Sequence, residues 1–412
     1  MRVTVVGGGS RGDVQPIVAL ALGIKAAGHE VTVAASVDSE SLVTERGLRF
    51  ARFDVSITQQ MQTAAGRAWV ADSAGRPFRE LRNMARVYAE TARPLADGVL
   101  TLSGTADLFI SGILSLDSMA SIAQHDGVAH ATALLCPFHP TTDGRAGLTA
   151  RTARTSSANL TRTRMGRWLL SRSVTQAGQL VRRDLGLPET GPHGFVRALD
   201  SVPAVLGASP LLVPTPPDWP STVTVTGPWT LPAPAGWEVP SPLADFLDAG
   251  PPPVYLGFGS MSVVQPERIR EVAVEAARAA GVRLLLAGTD LNGPDGDDVL
   301  GIADVPHAWL FPRVRAAVHH GGAGTTHAAL LAGVPQLAVP HIADQPYWGR
   351  RIHEERLGPP PLSLHRLTPE RLTERLRALV DSPGLAQRAA EAGQAARQKQ
   401  GVANAVEALL AS

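Results

Sequence analysis

Residues 3–10 read VTVVGGGS and residues 254–260 read VYLGFGS, and the fold follows from laying the two side by side. Each is a short apolar run that breaks into glycine and serine, the composition of a strand entering a tight turn. The first continues through a helix-like stretch from Gln15 to Ala27 into a second strand, EVTVAAS (30–36). The second continues through Pro266 to Ala280 into VRLLLAG (282–288). Strand, Gly-Ser turn, helix, strand is therefore written twice, and apolar runs alternate with helical stretches through both halves. This pattern predicts an α/β protein of two doubly wound, parallel-sheet, Rossmann-like domains.

A proline-rich region separates the halves, from PLLVPTPPDWP (210–220) through GPWTLPAPAGWEVPSP (227–242). Prolines cannot continue a helix or an inner strand, so residues 216–240 are predicted to be a semi-rigid linker. The first domain is then 1–215, the second 241–390, and residues 391–412 a C-terminal helix expected to pack back on the first. A length of 412 residues suits two domains of this size, each with its own core. With 44% hydrophobic residues and a formal net charge of +1, neither disorder nor a nucleic-acid surface is indicated, and a small-molecule partner fits better. The single cysteine, Cys136, allows no disulfide within the chain and no thiolate metal cluster. The chain starts directly in a strand-like segment and has no apolar run near ~18 residues, so the expectation is a soluble cytoplasmic protein.

Two stretches carry chemistry. In VVGGGSRGDVQP (5–16), Gly7, Gly9 and Gly12 have the G-x-G-x-x-G spacing of a dinucleotide-binding turn, yet Asp13 stands where a pyrophosphate would rest. A carboxylate repels that ligand. In AAVHHGGAGTTHAALLAGVPQLAVPHIADQP (316–346), a strand runs into His319 and His320, then a Gly-rich turn, then a helix opening near Thr325. Backbone N–H groups at such a turn and the helix dipole make an anion site, here suited to a diphosphate. The next strand ends in a loop with Asp344 and Gln345, a carboxylate beside an amide, suited to sugar hydroxyls.

At these residues the chain resembles the nucleotide-sugar-dependent glycosyltransferases of GT-B type, two Rossmann-like domains facing across a cleft, that decorate glycopeptide, macrolide and polyketide aglycones. Sterol glucosyltransferases are a more distant likeness. GSRGDVQP, GFGSM (257–261), the VP loop at 305–312, HHGGAGTT (319–326) and ADQ (343–345) together carry the resemblance, over essentially the whole chain. It implies inverting transfer of a sugar from a dTDP- or UDP-sugar to a hydroxyl of a large, mostly apolar aglycone, in antibiotic biosynthesis, without a metal or a resident cofactor. Asp13 is the implied general base. Ser10, Ser260, His320 and the Gly322, Ala323, Gly324 and Thr325 segment would hold the donor diphosphate, Val305 and His307 the base, and Asp344 and Gln345 the sugar. Relatives with a histidine base orient it with an aspartate on a later strand; here Gly112 falls near that place, and Asp117, further on, is a candidate supporting residue. No nucleic acid and no integral membrane association are implied, and the protein would be a monomer or homodimer.

Plainer duties compete at each position. Asp13 suits a cap for a helix beginning near Pro16, His320 a hydrogen-bonded strand end, and the Asp344–Gln345 pair a helix start. Trp309 reads as packing, His125, His130 and His139 take no assigned role, and RTARTSSANLTRTR (151–164) reads as a solvated face. Two other function classes compete as well. An NAD-dependent oxidoreductase would use the first turn with Asp38 on the ribose, but leaves HHGGAGTT and ADQ without a duty. A silent activator protein of the same fold has no need of Asp13, His320 and Asp344 together.

Overall fold

The computed structural model describes residues 1–73, 76–234, 236–259, 265–288 and 293–410. They form two units: Met1–Trp69, Arg76–Leu231 and Lys399–Ser412 make the first, and Val70–Gly75 with Pro232–Gln398 the second.

The first unit holds a seven-stranded parallel sheet of β1 (Arg2–Val6), β2 (Glu30–Ser36), β3 (Arg49–Phe53), β4 (Leu108–Ser111), β5 (Ala129–Leu134), β6 (Ala204–Leu206) and β7 (Val223–Val225). Their order is β3-β2-β1-β4-β5-β6-β7. Val3, Thr4, Val5 and Val6 are all buried, as in a central strand covered on both faces. On one face Val3 and Val5 share a core with Val14, Ile17 and Val18 of the Arg11–Ala26 helix and with Ala405 and Leu409 of the Gly401–Leu410 helix. On the other, Val6 and Phe109 pack with Val99 of the Pro77–Leu100 helix and with Met119 and Ile122 of the Leu116–Asp126 helix. The winding reverses between β1 and β4, so the Gly7–Gly9 turn lies at the switch point where open α/β sheets bind ligands. There Gly112 N donates to Val6 O at 3.1 Å.

The second unit holds β8 (Val254–Gly257), β9 (Leu284–Ala287), β10 (Gly293–Pro294), β11 (Val299–Ile302), β12 (Ala316–His319) and β13 (Gln336–Ala338) in the order β10-β11-β9-β8-β12-β13. All neighbours are parallel except the short edge strand β10, which runs antiparallel to β11. Its switch point lies between β8 and β12, with Gly257 opposite His319.

Three boundaries differ from the sequence expectation. Residues 216–240 are not linker throughout, because Val223–Val225 carry no proline and add β7 to the edge of the first sheet, where one side needs no partner. Residues 391–397 belong to the Pro383–Arg397 helix, whose small buried residues Ala389, Ala392 and Ala396 keep it in the second unit, against the Ala323–Ala332 helix. The first helix begins at Arg11, ahead of its apolar pattern, because Ser10 occupies the N-cap position.

Candidate functional site

The second unit's site is built on the end of β12. His319 is fully buried; its Nδ1 accepts from Gly321 N at 3.0 Å, and its Nε2 lies 2.9 Å from Gln336 Oε1. An amide N–H only donates, so Nδ1 is bare and Nε2–H donates to Gln336. Gln336 Nε2 in turn donates to Thr326 O at 3.3 Å. Burial lowers the His319 pKa to about 4, so the ring is a neutral clamp that ties β12, β13 and the Ala323–Ala332 helix together. Because Gly321 N is engaged by the clamp, the turn amides open to an anion start beyond it.

Gly322 is the N-cap of the Ala323–Ala332 helix, and Thr326 N closes the first turn onto Gly322 O at 3.0 Å. The amides of Ala323, Gly324 and Thr325 are thus first-turn donors with no acceptor inside the helix. No side chain caps this end and no acidic residue stands in its first turn. Residues 322–325 form a partly exposed run. Beside them, His320 is half-buried, with Nδ1 enclosed and unpartnered among the described residues. A Cβ on Gly322 would lie 2.5 Å from His320 Nε2, so this position takes glycine because the imidazole passes directly over it. Burial, with the nearby rings of His319, His341 and His307, holds the His320 pKa well below the usual range. Ser260 lies outside the described residues.

Asp344 is the N-cap residue of the Gln345–Glu354 helix, but its carboxylate does not cap it. Instead Oδ2 accepts from Trp348 Nε1 at 2.7 Å, one helical turn on, and Trp348 stands edge-on to His327. Burial raises the Asp344 pKa, with the Trp348 bond opposing. Ala343, just before it, has φ +58°, a left-handed conformation that costs a residue with a Cβ about 1–2 kcal/mol. Gln345 Oε1 accepts from His341 N at 2.7 Å and Ile342 N at 3.1 Å. Val305 is buried in the unit's core. His307 stacks on Phe311, 4.4 Å between centroids, with Nε2 3.3 Å from the Tyr255 hydroxyl. Trp309 packs between Trp237 and the Arg313 guanidinium, as expected of a packing residue.

In the first unit, Asp13 is the third residue of the Arg11–Ala26 helix. Its Oδ2 accepts from Ser10 N at 2.8 Å and from Ser10 Oγ at 3.1 Å. Gly9, with φ +112°, makes room: a Cβ there would lie 2.4 Å from that oxygen. The carboxylate is thus held in place at the mouth of the first turn, and the Ser10 hydroxyl, expected on the diphosphate, is turned onto Asp13. Tyr88 lies close enough for the Asp13 charge to add to burial in raising its pKa, and Trp69 stands edge-on to Tyr88 at 6.3 Å. Asp117 is not a support for Asp13. It is buried, accepts from Gln179 Nε2 at 3.2 Å and faces Gly178, because its place in the Leu116–Asp126 helix turns it toward the Gln176–Asp184 helix. Burial pushes its pKa up to about 6. Asp38 Oδ2 accepts from Thr58 N at 2.8 Å, a capping duty.

Sequence reasoning missed the His319–Gln336 clamp and the Trp348–His327 brace. Trp348 could have been found from its i+4 spacing to Asp344 on one helix. Gln336 could not, since its link to His319 needs β12 and β13 to be neighbours. Among the described residues no three His, Cys, Asp or Glu come together as a metal site, and no helix is long and apolar enough to cross a membrane.

Comparison with known proteins agrees with this layout. The model of the glycosyltransferase family 28 N-terminal domain matches residues 3–103, and that of the erythromycin biosynthesis protein CIII-like C-terminal domain matches residues 292–409. The O-mycaminosyltylonolide 6-deoxyallosyltransferase of Streptomyces fradiae is 33% identical over 98% of this chain and 96% of its own length. The vancomycin aglycone glucosyltransferase of Amycolatopsis orientalis is 34% identical over 87% of this chain and 85% of its own. A glycosyltransferase of Streptomyces sp. SF2575, solved in complex with thymidine diphosphate, shares the fold with a TM-score of 0.63 at 21% identity, covering 100% of both chains.

Proposed function

This chain belongs to the natural-product glycosyltransferases of GT-B type, and we propose that it transfers a sugar, with inversion, from a thymidine or uridine diphosphate sugar to a hydroxyl of a large, mostly apolar aglycone. The observation that carries the reading is the set of first-turn amides of Ala323, Gly324 and Thr325 beside His320, with Asp344 one loop away on the same sheet edge. Such an end holds a diphosphate without a metal, through N–H donors and the helix dipole. His320 adds a ring nitrogen beside these amides, able to donate to a diphosphate oxygen. Asp344 and the Gln345 NH2 meet sugar hydroxyls, and the backbone at Val305 with His307 meets the base. The solved relative's thymidine diphosphate favours a thymidine donor.

In the reaction, Asp13 takes the proton of the acceptor hydroxyl. That oxygen forms a bond to the anomeric carbon on the face opposite the leaving group, and the bond to the diphosphate oxygen breaks, its electron pair leaving with the nucleoside diphosphate. His320 and the turn amides stabilise the charge that builds there. Trp69 and Tyr88 supply apolar surface near the base. Titration by calorimetry with thymidine diphosphate, uridine diphosphate and NAD tests the reading. Either diphosphate should bind with EDTA present and NAD should not; binding of NAD alone, or binding and turnover that require added magnesium, would overturn it.

A further inference from the structure

The Ser157–Val174 helix has its polarity inside out. It buries Asn159, Thr163, Ser171 and Ser173 with Val174 at its end, while Met165 and Trp168 are 55% and 39% exposed. Arg164, Met165, Trp168 and Arg172 are all exposed and recur at the i, i+3, i+4 spacing that makes one stripe. The Arg172 guanidinium lies 5.0 Å from the Trp168 ring centre. The Pro77–Leu100 helix packs alongside, with Ser173 Oγ donating to Leu81 O at 3.4 Å, and opens with Phe78, 80% exposed, next to exposed Arg76, Arg79 and Arg82. Phe78, Met165 and Trp168 are the exposed large hydrophobic residues of the described chain apart from Met1. Charge along the sequence leans the same way. From Gly144 to Arg183 there are nine arginines and no aspartate or glutamate, although Arg145, Arg167 and Arg183 pair with Asp143, Asp200 and Glu189 from outside the stretch. Beside Arg172 opens a cavity of about 450 Å³, lined also by Thr175, Gln176, Gln179 and Arg183; Gln176 Oε1 is buried there with no partner among the described residues.

A soluble helix normally buries apolar residues and exposes polar ones. Exposed aromatic and aliphatic side chains flanked by arginines match the headgroup boundary of an anionic bilayer. We propose that this face seats the protein on an anionic membrane surface. Phe78, Met165 and Trp168 enter the headgroup boundary, and Arg76, Arg79, Arg164 and Arg172 meet lipid phosphates. The cavity suits a headgroup that offers both phosphate, to Arg172, and hydroxyl donors, to Gln176 Oε1. This inference stands apart from the transfer reaction.

The test is co-sedimentation of the whole protein with vesicles of phosphatidylcholine alone and of phosphatidylcholine mixed with phosphatidylglycerol, at low and high salt. Binding to the mixed vesicles only, weakened by salt, is expected. Met165→Ser with Trp168→Ser, and separately Arg164→Glu with Arg172→Glu, should each weaken it at least about tenfold, with an unchanged melting temperature. Equal sedimentation with both vesicles, or no sedimentation with either, overturns the proposal. So does undiminished binding by folded variants, or binding to a DNA duplex that displaces the protein from vesicles. The wild-type contrast between the two vesicles needs no variant, so a variant that fails to fold leaves the test intact.

Discussion

The two Gly-rich turns occupy the same place in their units, each after a central strand at a switch point and each opening a helix, yet they are opposite in electrostatic character. In the first, Ser10 is the N-cap and Asp13, at the third helical position, brings a carboxylate of the chain's own onto the Ser10 amide. In the second, Gly322 is the N-cap, and neither a capping side chain nor an acidic residue stands in the first turn. A helix N-terminus attracts one negative group. Where the protein supplies it, as a carboxylate, the turn repels a diphosphate; where it does not, the turn is left for a ligand.

The strongest way to break this contrast is Asp13→Asn. Asparagine keeps the shape and the acceptor for Ser10 N but cannot take a proton, so turnover should fall about 10²- to 10⁴-fold. Melting temperature and nucleotide affinity should hardly move, since asparagine serves a helix start nearly as well. Near-normal turnover in a steady-state assay would leave Asp13 a capping residue only.

Thr325→Asp copies the first turn into the second. Thr325 stands at the same third helical position as Asp13, so its carboxylate should occupy the anion site and weaken nucleoside diphosphate binding by at least about 100-fold, roughly the 1.5–3 kcal/mol of a charged hydrogen bond plus repulsion. Melting temperature should hold or rise slightly, because an acid in the first turn suits the helix dipole. Unchanged affinity by calorimetry would show that the diphosphate sits elsewhere.

A finer division lies within the second site. His320→Ala should weaken free nucleoside diphosphate about tenfold or more. Asp344→Ala should leave that affinity near wild type and impair transfer, because it removes a sugar contact. Equal loss of nucleotide binding in both would put Asp344 on the wrong part of the donor.

The smallest effect is on stability against pH. Burial lowers the pKa values of His319, His327 and His341 in the second unit, and of His130 in the first, to about 4. The unfolded chain titrates near ~6.5 and so binds more protons between these values. The contribution is therefore complete above ~6.5 and is lost as pH falls toward ~4. With His320 also lowered in the second unit and His139 in the first, four such residues stand against two, so the second unit should lose more, on the order of 1–2 kcal/mol per buried histidine at pH 5. Hydrogen exchange of β12 and β1 amides at neutral and acid pH measures this, and equal loss in both units would count against it.

Local signals made much of the molecule legible. The strand-turn-helix repeats, Asp13 within reach of its own turn and the HHGG turn ahead of a helix all depend on residues a few positions apart, whose geometry the backbone fixes once the element forms. Proline content misled at 216–240, because it reports on each residue's own backbone and not on whether a neighbouring strand offers a ladder. Ser10 was assigned by likeness to a diphosphate, yet its hydroxyl answers to the carboxylate three residues on.

The sequence by itself therefore determined two α/β units, their paired turns and the residue types able to hold an anion or take a proton. Tertiary structure alone decided that β7 pairs with β6, that Asn404 Nδ2 reaches Thr226 O at 3.0 Å across 178 positions, and that Gln336 holds His319 in one tautomer. The physical reason is range. Caps and turns are settled by bonds within one helical turn, whereas these contacts exist only after distant strands and helices have packed, and burial then sets the charge state of the groups they enclose.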